Sequence, residues 1–486
     1  MRILLIYPKS DLFPFYLQPP MGILYLAASL RERHEVRLYD ANMDLHPLDS
    51  VISEFDPEVI GVSYTISCIQ TAAQIAKRFG RNGRLMIAGG SQPTYQPKEC
   101  LDSGFDLVAR GEVDDTLSDF LETLDLNSSF IKPDQSVPPG YYFKDEQGDY
   151  VDTGIATCRD VNRFFPARDL LPRDYHDRYT HGVLMGSRGC HFRCVFCASA
   201  RSTYRKRHSR DVVDELDYVV NTEGHKSVHF IDDIFTHDPK WVREVCEGIE
   251  KRGIQFEWSV NSRSHIPHEN WEVFDLIYRA GCKFIMFGIE AAEQKVLNQA
   301  NKGSTVVKMF PAIQRAREVG LSLRCNLMAG LPGSTYDDHL RNIDFMEMLL
   351  PDQVIVSLCT PYPGSKLYEN PERYGIRLKV PDWMFVFQRD YVLPDTFGDA
   401  IEYQKISSQE ILQFIKALQY RLGLYGYVSV TDAQNCGYRI VKTFLDKPKL
   451  LPIREREHEK KMVSVQRKEN VYDNEYTDNK PLFTAA

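Results

Sequence analysis

Three cysteines stand close together in residues 186–199, which read GSRGCHFRCVFCAS. Three residues separate Cys190 from Cys194 and two separate Cys194 from Cys197, with Phe196 just before the last. Thiolates are soft ligands that suit zinc and iron–sulfur clusters. Such clusters are typically held by four cysteines, so a four-iron cluster on these three keeps one iron without a protein ligand. An open coordination position separates a reactive metal centre from a structural one. The competing reading is a closed zinc knuckle, with His191 or His208 completing the set.

The other eight cysteines (Cys68, Cys100, Cys158, Cys246, Cys282, Cys325, Cys359 and Cys436) are scattered and read as small buried residues. A chain of 486 residues exceeds one ordinary core, so two or three domains are expected. Hydrophobic content of 43% and charged content of 26% are those of a globular protein. A net charge of −8 disfavours a nucleic-acid partner. No apolar run is long enough to span a bilayer, and the start MRILLIYPKS lacks a cleavable secretory pattern. The expected location is therefore the cytoplasm, where cysteines serve as metal ligands or free thiols and not as a disulfide framework.

The cysteine spacing, with its aromatic residue, resembles the signature of the radical S-adenosylmethionine (SAM) enzymes. The resemblance implies a 4Fe-4S cluster on Cys190, Cys194 and Cys197 whose open iron chelates SAM. It also implies reductive cleavage of SAM to a 5′-deoxyadenosyl radical, and an electron donor such as flavodoxin or ferredoxin.

Strands must deliver this loop and its partners. From residue 181 onward strands and helices alternate, as in a barrel of parallel strands with its active site at their C-terminal ends. The family uses a partial barrel of six such units. In order, the strand ends offer Asp232 and Asp233, then Arg263, then Glu290 in a Gly-x-Glu segment, then Gly330-Leu331-Pro332-Gly333. The resemblance assigns a carboxylate to the SAM ammonium, Glu290 to SAM or the upper cofactor, and the glycine–proline segment to adenine, with Phe196 beside SAM; Arg263 suits the SAM carboxylate or a substrate anion. The plainer readings are a helix-capping aspartate, better suited to Asp238, and a surface ion pair for Arg263. Lys206 and Arg207, just past the cysteine loop, are read as contacts to SAM or cobalamin, or as a solvated basic face.

Ahead of the barrel, short apolar runs at 2–7, 35–39, 59–63, 85–88 and 107–109 alternate with helix-like stretches at 21–31, 69–79 and 115–124. That alternation implies a doubly wound parallel sheet, which binds ligands at the carboxyl ends of its strands. The loops there contain Ser63, Thr65 and Ser67, then Gly89, Gly90, Ser91 and Gln92, then Gly111 and Glu112. The segments IAGGSQPT and VARGEVDDTL resemble the cobalamin-binding domain that precedes many radical SAM cores. The Asp-x-His-x-x-Gly motif that supplies a lower cobalt ligand is absent, so no lower ligand is named.

The expected organisation is α/β throughout: a Rossmann-like cobalamin-binding domain (1–125), a linker (126–180) with a small hairpin at 140–151, a partial (β/α)6 barrel (181–375), and a mainly helical C-terminal segment (376–486). The last contains a helix at 407–424, a preceding aromatic-rich stretch, and a charged terminus from 454 to 468. Two cofactors facing one cavity imply a C-methyltransferase acting on an unactivated carbon of a small natural-product or lipid-type substrate. The alternatives are a non-methylating cyclisation, rearrangement or oxidation, and a radical SAM enzyme with an empty cobalamin-like domain.

Overall fold

The computed structural model describes residues 1–9, 18–80, 83–126, 131, 137–179, 181–200, 202–379 and 400–422. Strands β1 (Arg2–Tyr7), β2 (Glu35–Asp40), β3 (Val59–Ser63), β4 (Leu85–Gly89) and β5 (Leu107–Ala109) are parallel, in the order β2-β1-β3-β4-β5. The run RILLIY carries no polar break because helices cover both faces of the sheet. Ile3 and Leu5 enter one core, and Leu4 and Ile6 the other.

The hairpin read as part of a linker joins this sheet. β6 (Tyr141–Lys144) pairs antiparallel with β5, and β7 (Tyr150–Asp152) pairs with β6, giving seven strands. Its turn is tied by Asp145 Oδ1, which accepts the amides of Gln147 and Asp149.

The second sheet contains β8 (Gly182–Leu184), β11 (Ser227–Phe230), β12 (Glu257–Arg263), β13 (Cys282–Glu290), β14 (Ser322–Ala329) and β15 (Gln353–Leu358). All six are parallel in the order β15-β14-β13-β12-β11-β8, an open arc whose edges are β8 and β15. Between β8 and β11, β9 (Ser187–Arg188) and β10 (Arg205–Lys206) form a short antiparallel ribbon. Strand β14 shows how the arc is built. Leu323, Cys325, Leu327 and Ala329 pack into the core shared with the helices. The alternate residues are Ser322, Arg324, Asn326 and Met328, and Arg324 bonds Gln353 Oε1 on β15 at 2.8 Å. A closed barrel fills its interior with branched apolar side chains; this arc keeps a partly polar concave face.

Arg168, fully buried, touches both halves. It donates to Glu215 at 2.7 Å and to the carbonyl of Val183 at the start of the arc, and at 3.5 Å to Met21 Sδ on the first helix of the chain. At the far end β16 (Ile376–Leu378) pairs with β17 (Ile401–Tyr403), and helix Ser408–Leu422 follows. Phe414 packs against His339 and Arg421 pairs with Glu347 and Asp344, so this helix lies on helix Tyr336–Leu349. Of the aromatic stretch, Tyr403 is buried in the core; Trp383, Phe385, Phe387, Tyr391 and Phe397 lie outside the described residues, as does 454–468. No helix among the described residues is long and apolar enough to cross a membrane.

Candidate active site

The cysteine loop spans the ribbon β9–β10 at the C-terminal end of β8. Gly189, at φ +86°, lies so close to the Thr203 carbonyl that a side chain there would collide with it. The amide of Cys190 donates to Ser202 Oγ at 2.8 Å, and that of Val195 to the Ala300 carbonyl at 3.0 Å. Leu367 donates back to Val195, and Asn301 to Arg193. The loop is thus held from both sides, with Cys190, Cys194 and Cys197 all free thiols.

Burial pushes the Cys197 thiol up to about 11, and Asp233, Cys194 and Cys190 add to the shift. Burial likewise raises Cys190, with Asp233 and Cys194 acting in the same direction. Buried thiols with negative neighbours, as Cys190 and Cys197 are, resist becoming thiolates unless a cationic centre offsets the charge. That donor set, sulfur only and crowded, fits an iron–sulfur cluster.

The paired aspartates separate. Asp232 is buried; its carboxylate accepts the Gly186 amide at 2.9 Å and the Ser187 hydroxyl at 2.5 Å. Both oxygens brace the strand that starts the cysteine loop, so Asp232 is not presented to a ligand. Asp233 is the exposed member, close enough for its charge to reach Cys190 and Cys197. Arg263 is buried and donates to the Lys302 carbonyl and, at 2.9 Å, to Ser304 Oγ. Its guanidinium carbon lies 3.6 Å from the centre of the Phe192 ring. A carbonyl, a hydroxyl and a ring orient the charge without neutralising it, which leaves it suited to a carboxylate.

Glu290 has φ +66°, strained for a residue with a side chain, and the β13–β14 register shifts there. Its Oε1 accepts from Lys302 Nζ at 2.8 Å. Gly330, at φ +79°, sits under the Tyr403 ring, where a Cβ would come within 2.7 Å. Leu331 is buried, its carbonyl accepting from Ser334, and Pro332 follows in the same buried turn. Phe196 is half-buried, with Lys302 Nζ 5.9 Å from its ring centre. Lys206 instead pairs with Asp238, and Arg207 is buried against Glu215; long-range ion pairs, invisible in a local basic run, take both.

On the first sheet the loops after β3 and β4 interlock. Tyr64 donates to the Gly89 carbonyl at 2.9 Å, and Gln92 to the Tyr64 carbonyl at 3.3 Å. Gly90, at φ +97°, has Tyr64 backbone 2.6 Å from where a Cβ would stand. Ser63 lies against Gly90, Thr65 and Ser67 hydroxyls meet at 3.0 Å, and Ser91 is exposed, so a small-residue rim remains for a flat ligand. Gly111 and Glu112 face elsewhere. Gly111 bridges to Ala156, and Glu112 accepts from Arg205 at 2.5 and 3.0 Å and from the Cys158 amide at 3.0 Å. Arg188 lies 3.6 Å from Glu112 and 3.0 Å from Asp114. These carboxylates bolt the first sheet to both arms of the ribbon that carries the cysteine loop.

Tyr95 reaches the cysteine loop itself, and no sequence pattern marks it. It ends helix Ser91–Tyr95, directly after Gly89-Gly90, and its hydroxyl donates to the Ala198 carbonyl at 3.0 Å, next to Cys197. The ring packs on Gly364, where a Cβ would come within 2.5 Å. Gln96 donates to the Tyr368 hydroxyl beside it.

A three-thiol loop thus stands at the mouth of an open parallel arc, with a small-residue sheet edge pinned against it. The chain matches the Radical SAM superfamily model over residues 184–346 and the B12 binding domain model over residues 15–121, so it carries a radical SAM domain preceded by a cobalamin-binding one. Its cofactors are a 4Fe-4S cluster, SAM and cobalamin. It is 29% identical over 367 residues to an uncharacterised methyltransferase of Pyrococcus horikoshii, covering 72% of this chain and 78% of that one. It is 25% identical over 443 residues to hopanoid C-3 methylase of Methylococcus capsulatus, covering 84% and 80%. The radical S-adenosylmethionine methyltransferase TsrM of Kitasatospora setae shares the fold, with TM-score 0.69, 16% identity, and 96% and 99% of the two chains covered.

Proposed function

We propose that this chain is a C-methyltransferase that uses both cofactors on an unactivated carbon of a small natural-product or lipid-type substrate. The observation that carries the reading is the Tyr95–Ala198 contact, which sets the Gly89-Gly90 loop beside the cysteine loop across one mouth. When bound, the cluster with SAM supplies a hydrogen-abstracting radical, and cobalamin supplies a transferable methyl group.

The chain's own residues bind and orient. Cys190, Cys194 and Cys197 hold the cluster. Asp233 takes the SAM ammonium and Arg263 its carboxylate, both by charge-assisted hydrogen bonds. Glu290, fixed by Lys302, stands at the next strand end, and the turn at 330–332 brackets the adenine. Ser63, Thr65, Ser67, Gly89, Gly90, Ser91 and Gln92 line the cobalamin side. The concave face offers Asn261, Asn326 and Ser357 to a substrate with a polar end. A flavodoxin or ferredoxin serves as reductant, in the cytoplasm. Relatives named as a methyltransferase and a methylase support methyl transfer. The test is incubation with methyl-deuterated SAM and mass analysis of a substrate drawn from the gene neighbourhood. Deuterium in the product upholds the reading, and an altered product without deuterium removes the transferase assignment.

A further inference from the structure

At the opposite end of the arc three side chains converge, each with one buried polar atom left unsatisfied, although the other carboxylate oxygen of Glu223 accepts from Arg168 at 3.3 Å. His225 stands just before β11, at its N-terminal end and packed on Gly182 at the start of β8. Glu223 follows a single π-helical turn, Tyr218–Thr222, that ends helix Ser209–Asp217. His176 comes from helix Arg173–Arg178, in the segment that leads into the arc. Their side chains are 5%, 2% and 7% exposed respectively. His176 Nδ1, His225 Nε2 and Glu223 Oε1 are buried with no hydrogen-bond partner among the described residues.

We propose that His176, Glu223 and His225 form a zinc site that fastens the segment entering the arc to the arc's floor. Their ligand atoms all lie within 4.8 Å of one another, and each histidine nitrogen is 3.6 Å from Glu223 Oε2. That is too long for a hydrogen bond. Tetrahedral ligands about 2.1 Å from a shared ion stand roughly 3.4 Å apart, so the spacing suits a metal. Two imidazoles and one carboxylate are a familiar zinc set, with one position left for an outside ligand. π-Turns are rare and frequently mark functional positions; this one sets Glu223 beside His225.

Charge specifies the fourth ligand. Arg168 lies 3.3 Å from Glu223 Oε2, and Arg168 and Arg207 are matched by Glu215 and Glu223. A divalent ion therefore enters a pocket already near balance, and the outside ligand is an anion such as hydroxide or chloride. Asp174 and Asp177 on the same helix as His176 contribute further negative field, opposed by Arg173.

The test is metal analysis of anaerobically purified full-length protein grown with added zinc. About one zinc per chain is expected, retained in C190A/C194A/C197A, which lacks the cluster, and lost in H176Q/H225Q, which keeps its iron. Zinc absent from the wild type, or zinc that disappears with the cysteines, overturns the proposal. Should H176Q/H225Q fail to fold, zinc-edge X-ray absorption of the wild type decides. A shell of nitrogen and oxygen near ~2.0 Å with no sulfur supports the site, and sulfur near ~2.3 Å overturns it.

Discussion

At the scale of the residue, adjacent side chains do different work. Asp232 and Asp233 are neighbours in the sequence, yet one braces Gly186 and Ser187 and the other faces the cluster loop. Asp232→Ala leaves a buried amide and hydroxyl unmatched and is expected to cost about 1–3 kcal/mol of stability, read as a lower midpoint in denaturant. Asp232→Asn retains an acceptor and is expected to cost less. Asp233→Asn should leave stability alone and weaken SAM binding, read by equilibrium dialysis. Arg263→Ala removes a charge-assisted contact worth about 1.5–3 kcal/mol, so SAM binding should weaken roughly 10- to 100-fold. Undiminished SAM affinity in Arg263→Ala would remove that assignment. Which aspartate faces out is not legible in the sequence, because the choice is made by groups some 45 residues upstream. The cysteines are legible because a cluster loop is local: spacing alone brings the sulfurs together.

At the scale of the element, the ion pairs around Glu112 join the first sheet to the ribbon. Burial opposes its ionisation, but the bond from Arg205 and the charges of Arg188 and Arg205 prevail and hold Glu112 below the usual carboxylate range. A depressed carboxylate contributes stability above its unfolded pKa and loses it as pH falls through the folded one. The Glu112→Gln variant should therefore unfold at a lower temperature than wild type at pH 7, with the gap closing below about pH 4. A gap that persists in acid would show that charge is not what joins the pieces. Tyr95→Phe loses one neutral hydrogen bond, about 1 kcal/mol. Gly364→Ala collides with the same ring and adds left-handed strain. Both should lower product formation while iron content stays at the wild-type level, and a lower iron content would mean that the contact only holds the loop together. Alternating strands and helices disclosed the two parallel sheets, since that pattern is local. The edge hairpin is not legible as part of the sheet, because its pairing with β5 depends on register between segments more than 30 residues apart. The structural pairing of Glu112 is hidden for the same reason: its partner Arg205 lies 93 residues away.

At the scale of the whole molecule, two cofactor-binding sheets must share one mouth. The first sheet's strand ends and the arc's strand ends meet through Tyr95, Glu112 and Asp114, while Arg168 locks the sheets behind them. Arg168→Ala leaves Glu215 buried with one cation fewer, which typically costs about 3–5 kcal/mol, so the two sheets should come apart to protease before either unfolds. Cleavage between them no faster than in the wild type would contradict that. The most direct measurement of the central claim is dual loading. Protein reconstituted without oxygen with iron, sulfide and hydroxocobalamin is desalted, assayed for iron and cobalt, and incubated with SAM and a strong reductant. About four irons and one cobalt per chain, with SAM converted to 5′-deoxyadenosine, is the predicted result. A chain that holds iron but sheds cobalt, or holds both and leaves SAM intact, would contradict it.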